Sequence, residues 1–137
     1  MKMFNNIFLG KKILIYGLGK SGISSYKFLK KRSYVYLFDD NPKNNLKINQ
    51  KIISFKQIQK INFDIIIISP GIDISNCKLS KFLKKNLLKI YTDLDVLFSF
   101  YNNESITITG TNGKSTTAKI LHDALIDQKR DSRLIGN

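Results

Sequence analysis

Residues 105–120 read SITITGTNGKSTTAKI, a β-branched run, a glycine-bounded turn and a helix-forming stretch in succession. Gly110-Thr111-Asn112-Gly113-Lys114-Ser115-Thr116 carries the residue types that hold a polyphosphate. Backbone N–H groups of such a turn point inward and form an anion nest. Lys114 is placed to reach β- and γ-phosphates and stabilise the transferring charge, and is the candidate catalytic residue. The Ser115 hydroxyl is placed to hold Mg²⁺, with Thr116 as a second hydroxyl within reach. The spacing is shorter than the general phosphate-loop pattern, which wants a glycine where Ile108 stands. ATP binding is expected at residues 110–116 because strand, loop and helix fall in the required order.

A second phosphate-type turn lies near the start. Gly17-Leu18-Gly19-Lys20-Ser21-Gly22 follows an apolar run and opens an amphipathic one. Its glycines permit a tight turn and close backbone approach, and the helix N-terminus offers unpaired N–H groups and the positive end of a dipole. Asp39 falls at the end of the next apolar run, where a dinucleotide-binding domain often sets a ribose-binding acid. Taken alone the pattern says NAD, although such turns also hold other diphosphates. Elsewhere the chemistry is thin. His122 has no ligand-type neighbours and reads as an ordinary helix residue. Cys77 lacks a partner histidine motif and reads as structural.

Alternating elements must position these turns. Lys12 to Tyr16 predicts a buried strand, and Ile23, Tyr26 and Leu29 predict a helix to about Lys31. Tyr34 to Phe38 predicts a second strand, stopped by Asp39-Asp40-Asn41-Pro42. Residues 43–50 read as a polar loop, Ile52 and Ile53 as a short strand, and Ser54 as the cap of a brief helix through Ile61. Ile65 to Ser69 predicts a strand ended by Ser69-Pro70-Gly71. A basic amphipathic helix is expected from about Cys77 to Asn86, with Leu79, Phe82 and Leu83 inward and Lys78, Lys81 and Lys85 outward, a solvated lysine face being favoured over a membrane-surface role. Leu88 to Tyr91 predicts a strand. Thr92 is placed to cap a helix through Tyr101, with Asp93 and Asp95 in its first turn. Ile106 to Thr109 predicts a strand, the helix after the loop runs to about Gln128, and Leu134-Ile135 begins one more strand. This alternation indicates parallel α/β structure.

Charge divides the chain. Residues 1–91 hold 18 Lys and Arg against 4 Asp, whereas residues 92–137 hold 5 against 6 acids. The shift predicts two units with a boundary near Thr92: a Rossmann-like parallel-sheet domain over 1–91, and over 92–137 a linker helix and the truncated start of a P-loop ATPase domain, too short to bury its own core. The basic residues are mostly lysine, which shares AT-rich codons with the abundant Ile and Asn. They are scattered rather than interleaved with aromatics, so no nucleic-acid partner is expected. The longest aliphatic run, Ile65 to Ile68, is far too short for membrane insertion. One cysteine and no signal-peptide core predict a reduced, cytoplasmic protein.

An ATP loop behind a diphosphate turn fits a ligase with a nucleotide-sugar site better than an NAD enzyme. "KKILIYGLGKSGIS", "DIIIISPGI", "TDLDVLF", "ITITGTNGKSTT" and the final "IGN" together resemble the Mur ligases of peptidoglycan synthesis, over essentially the whole chain. Among these the chain is most similar to the branch that adds D-glutamate to UDP-MurNAc-L-alanine. The resemblance implies ATP and Mg²⁺ as cofactors and an acyl-phosphate route to an amide. It implies that Gly19, Lys20 and Ser21 lie near the UDP group, that Asp39 and Asp40 sit by the nucleoside, and that Ser69, Pro70 and Gly71 line the same site. Asn137 matches a Gly-Asn that contacts the muramyl substrate. The resemblance further implies a monomer, and an N-terminal portion that makes no amide bond alone, since the family's Mg²⁺-binding glutamate, its histidine, its modified lysine and its D-glutamate domain follow that Gly-Asn. Another Mur ligase step, or a nucleotide-binding module without catalysis, fits the same motifs.

Overall fold

The computed structural model describes residues 6–41, 52–101 and 104–135. The expected loop at 43–50 and the site residue Asn137 lie outside them. The chain divides into two compact units, residues 1–102 and 103–137.

In the first unit, β1 (Lys12–Tyr16), β2 (Tyr34–Phe38), β3 (Ile65–Ile68) and β4 (Ile90–Tyr91) form one sheet of order β2-β1-β3-β4. Every pairing is parallel, with Leu14 opposite Tyr36 and Ile66, and Ile67 opposite Tyr91. The connecting helices are α1 (Lys20–Leu29), α2 (Phe55–Ile58) and α3 (Ser80–Lys85), and α4 (Asp93–Phe100) follows β4. A strand covered on both faces reads as an unbroken apolar run, and β3 is four consecutive buried isoleucines. Strand alternation sends Ile13, Ile15, Ile65 and Ile67 to one face, where Tyr26 and Leu29 of α1 and Val96 of α4 cover them. Leu14, Tyr16, Ile66 and Ile68 face the other way, against Ile58 of α2 and Leu83 of α3. Phe8, fully buried, sits edge-on to Tyr91 at 5.5 Å.

Capping boxes mark two helix starts. Ser54 and Gln57 exchange side-chain and backbone hydrogen bonds ahead of α2, and Thr92 and Asp95 do so ahead of α4.

Several boundaries differ from the sequence reading. Helix α3 starts at Ser80 rather than Cys77, because residues 73–79 form turns in which Asp73 accepts from the Ser75 N–H (2.8 Å) and the Asn76 amide (2.6 Å). Leu88 is not in a strand. It lies in a 3-10 turn over Leu87–Lys89 and is 97% exposed, and β4 begins only at Ile90. Ile52 makes an isolated parallel bridge to Leu37.

In the second unit, α5 spans Lys114–Asp127. Neither Ile106 to Thr109 nor Leu134-Ile135 forms a strand. A strand exists through its neighbours' backbone groups, and the described residues of this unit bring none alongside. Ile106 is accordingly 67% exposed.

Candidate functional site

The chain runs from β1 outward to β2, then returns past β1 to place β3 on its other side. The connections leave β1 and β3 in opposite directions, so the carboxyl ends of these two strands form the topological switch point, the place where open parallel sheets bind ligands. The expected residues of the first turn gather there.

The turn after β1 is specified by close contacts. Gly17 has φ +93°, and a Cβ on it would lie 2.8 Å from the Ser69 Cβ. A Cβ on Gly22 would lie 1.9 Å from the Gly17 carbonyl oxygen. Helix α1 therefore enters directly against the turn, which no side chain at either position permits. Above Gly19 the space is open, with nothing within 4 Å of an added Cβ. Gly19 is the N-cap of α1 and no side chain caps the helix. Its first N–H groups lie beside exposed Lys20 and half-buried Ser21 at the switch point, and an uncapped helix N-terminus of this kind suits an anion.

Two further loops brace this turn. Ser69 Oγ donates to the Gly17 carbonyl at 2.8 Å, tying the Ser69-Pro70-Gly71 turn to the glycine turn. Asp39 accepts the Leu18 N–H at 2.5 Å on one oxygen and the Asn41 N–H at 2.7 Å on the other. Its carboxylate thus holds backbone on both sides of the β1 and β2 ends. The segments around Gly17–Gly22, Asp39–Asp40 and Ser69–Gly71, far apart in sequence, meet at one rim.

Two residues at this rim escaped the sequence reading. The buried Tyr16 hydroxyl donates to Asp40 Oδ2 at 2.7 Å. Lys78 Nζ donates to the Asp40 carbonyl at 3.0 Å, and its N–H stands 3.5 Å from Asp40 Oδ2. Burial, and then the bond to Asp40, push the Tyr16 hydroxyl's pKa well above its ordinary value. Asp40 Oδ1 is buried with no partner among the described residues. The signal for Tyr16 was its chemistry: a hydroxyl in an otherwise aliphatic buried strand needs an acceptor.

The second unit presents its own loop. Gly113 adopts the left-handed conformation (φ +74°) and is the N-cap of α5, again without a side-chain cap. The Thr117 N–H donates to the Gly113 carbonyl at 2.9 Å. Lys114 Nζ folds over the loop onto the Gly110 carbonyl and, at 3.4 Å, the Thr111 carbonyl. Its ammonium touches only neutral oxygens, an arrangement that an incoming phosphate can displace. Ser115 and Thr116 are exposed in the first turn, and their hydroxyls have no hydrogen-bond partner among the described residues. This donor set suits a polyphosphate with its Mg²⁺. No group of three or more metal-ligand side chains occurs among the described residues. His122 shares a 3.0 Å hydrogen bond with Ser132.

A parallel sheet with helices on both faces and an uncapped glycine turn at its switch point defines the class of doubly wound α/β domains. Within that class, a family model described as Mur ligase MurD-like, N-terminal domain, matches residues 11–90, and the chain belongs to this family. It is 36% identical over 134 residues to the UDP-N-acetylmuramoylalanine–D-glutamate ligase of Rickettsia conorii, covering 93% of this chain and 26% of that protein. Proteins of the same name from Rickettsia felis (35%, covering 93% and 29%) and Caldicellulosiruptor saccharolyticus (33%, covering 85% and 28%) are similar. The chain thus spans less than a third of the length of these relatives. Among the described residues no helix is long and apolar enough to cross a membrane.

Proposed function

We propose that this chain supplies the nucleotide-sugar site and the phosphate loop of an ATP-dependent amide ligase that joins D-glutamate to UDP-MurNAc-L-alanine. In this reading residues 1–91 bind the UDP substrate, and residues 92–137 contain a linker helix and the start of a P-loop ATPase domain. The observation that carries it is the meeting of the glycine turn, the Asp39–Asp40 turn and the Ser69–Gly71 turn at the switch point, in a chain that also carries GTNGKST.

The free N–H groups at Gly19, Lys20 and Ser21 receive the diphosphate. Asp39 acts by holding the glycine turn, Asp40 lies at the nucleoside end, and Ser69, Pro70 and Gly71 form the opposite wall. Asn137 contacts the muramyl part. In the reaction the substrate carboxylate attacks the γ-phosphorus of ATP and ADP leaves. The amine of D-glutamate then attacks the acyl carbon, phosphate departs with the bonding electrons, and the amine proton passes to solvent. Loop residues 110–116 align the triphosphate and Lys114 stabilises charge on the transferring group; the Ser115 hydroxyl would help hold Mg²⁺, which would supply further neutralisation of phosphate charge. The protein works as a monomer in the cytoplasm.

Isothermal titration of the chain with UDP-MurNAc-L-alanine, UDP and NAD tests the first half. Heat from the UDP compounds and none from NAD is expected. NAD binding without a response to either UDP compound would overturn the reading.

A further inference from the structure

The amino ends of the parallel strands form the edge opposite the ligand rim, and its chemistry is unlike the rim's. The helices covering the sheet end there in lysine: Lys31 follows α1, Lys60 follows α2, and Lys84 and Lys85 lie in the last turn of α3. Lys11, directly ahead of β1, and Lys89, directly ahead of β4, join them. The described acids of this unit are segregated from them. Asp39, Asp40, Asp73, Asp93 and Asp95 all follow carboxyl ends of strands, and Asp64 alone lies at the amino edge, where it accepts the Lys12 N–H at 2.8 Å. Cations at helix C-termini complement the dipole, which accounts for several lysines without any partner.

It does not account for the apolar side chains among them. Leu88 is 97% exposed and Leu87 58%, on the turn that follows Lys84 and Lys85. Ile7 and Leu9 are 48% and 46% exposed on the neighbouring loop. Ile7, Leu9, Lys11 and Lys89, together with Asp64, line one open depression of about 590 Å³, and Lys89 is the last residue of the turn that carries Leu87 and Leu88. Singly scattered exposed leucines need no explanation, but an apolar group set among predominantly basic side chains, with Asp64 the one acid at this edge, marks a docking face.

We propose that this edge is a peripheral docking surface for an anionic phospholipid bilayer, with Leu87 and Leu88 entering the boundary between headgroups and acyl chains. Reversible interfacial binding needs an apolar signal together with a basic one, and both occur here on adjacent turns. Each lysine near an anionic surface contributes about fivefold in partitioning. A nucleic acid would use the lysines but gain nothing from a fully exposed leucine pair. Docking here leaves the ligand rim facing away from the membrane. The proposal stands independently of which ligand the rim binds.

The test is co-sedimentation of the full chain with phosphatidylcholine vesicles, with and without phosphatidylglycerol. Binding to the anionic vesicles alone is expected, weakened by salt. Leu87→Ser with Leu88→Ser should weaken it about tenfold or more, and Lys84→Glu with Lys85→Glu should abolish it. Circular dichroism checks that these surface variants stay folded. The chain has no tryptophan, so Leu88→Trp gives a clean reporter whose emission should shift to the blue on anionic vesicles. No binding to anionic vesicles overturns the proposal. So does binding with no emission shift or no loss in the leucine variant, which shows charge adsorption only. Tighter binding to duplex DNA that ignores the leucines assigns the edge to nucleic acid instead.

Discussion

Gly22 stands so close to Gly17 that a methyl group on it would lie 1.9 Å from the Gly17 carbonyl oxygen. That oxygen is itself fixed by the 2.8 Å hydrogen bond from Ser69 Oγ. The obstacle is backbone, which has no rotamer to yield, so the start of α1 must move. Gly22→Ala should cost about 3 kcal/mol, at the upper end of overpacking penalties. Urea unfolding followed by circular dichroism checks it. A midpoint equal to the wild type's would mean that the turn is plastic.

Thr92 and Asp95 close the start of α4 by a reciprocal capping box. This helix matters because Val96 is its buried residue against the sheet, and Phe100 packs edge-on to Phe28 at 4.8 Å. Thr92→Ala removes one side of the box and should cost about 1 kcal/mol. A melting curve shifted downward by a few degrees is the expected result. Thr92→Ser, which keeps the hydroxyl, should restore most of the loss.

The strands of the first sheet were legible because a parallel strand covered on both faces leaves an apolar run that little else produces. The proposed ligand rim was legible in part. Glycine spacing announced the turn, but nothing in the sequence paired Tyr16 with Asp40 or Lys78 with the Asp40 carbonyl, because those bonds depend on strand order. Ile106 to Thr109 has the same β-branched character as Ile65 to Ile68, yet only the latter is a strand. Propensity describes what a segment accepts, and the pairing partner decides. Leu88 departs from the expected strand for a related reason: an apolar residue directly ahead of a strand has the strand's character, whereas the 3-10 turn over Leu87–Lys89 takes it out of the sheet.

Lys114 rests on loop carbonyls rather than on a carboxylate, so no counter-ion must be displaced before it meets phosphate. In the complete ligase proposed above, Lys114→Ala should lower the rate of phosphoryl transfer on the order of 100-fold or more. Binding of the UDP substrate should change little, because the glycine turn has its own uncapped helix. Phosphate release assays combined with titration of the UDP compound separate the two. Equal loss of both would indicate misfolding, and unchanged turnover would remove residues 110–116 from the ATP site.

The Tyr16 hydroxyl and Asp40 Oδ2, 2.7 Å apart, give stability a definite pH dependence. Burial first, then Asp40, raise the phenol's pKa above its ordinary 10.0. Below pH 10 the phenol is protonated in both folded and unfolded chains, and the buried hydrogen bond contributes fully. Above pH 10 the unfolded phenol ionises while the folded one keeps its proton, so the unfolded state is favoured and stability falls as pH rises. Tyr26, raised by burial, adds a slope of the same sign. Tyr16→Phe should therefore do two things. At pH 7 it should cost about 1–2 kcal/mol, because Asp40 loses its shortest donor and keeps only the longer Lys78 N–H contact. Between pH 9 and pH 11 its urea midpoint should fall less steeply than the wild type's, because one of the two perturbed phenols is gone and only Tyr26 remains. Parallel slopes for the two proteins would show that Tyr16 ionises alike in the folded and unfolded states, and that its bond to Asp40 does not hold the proton.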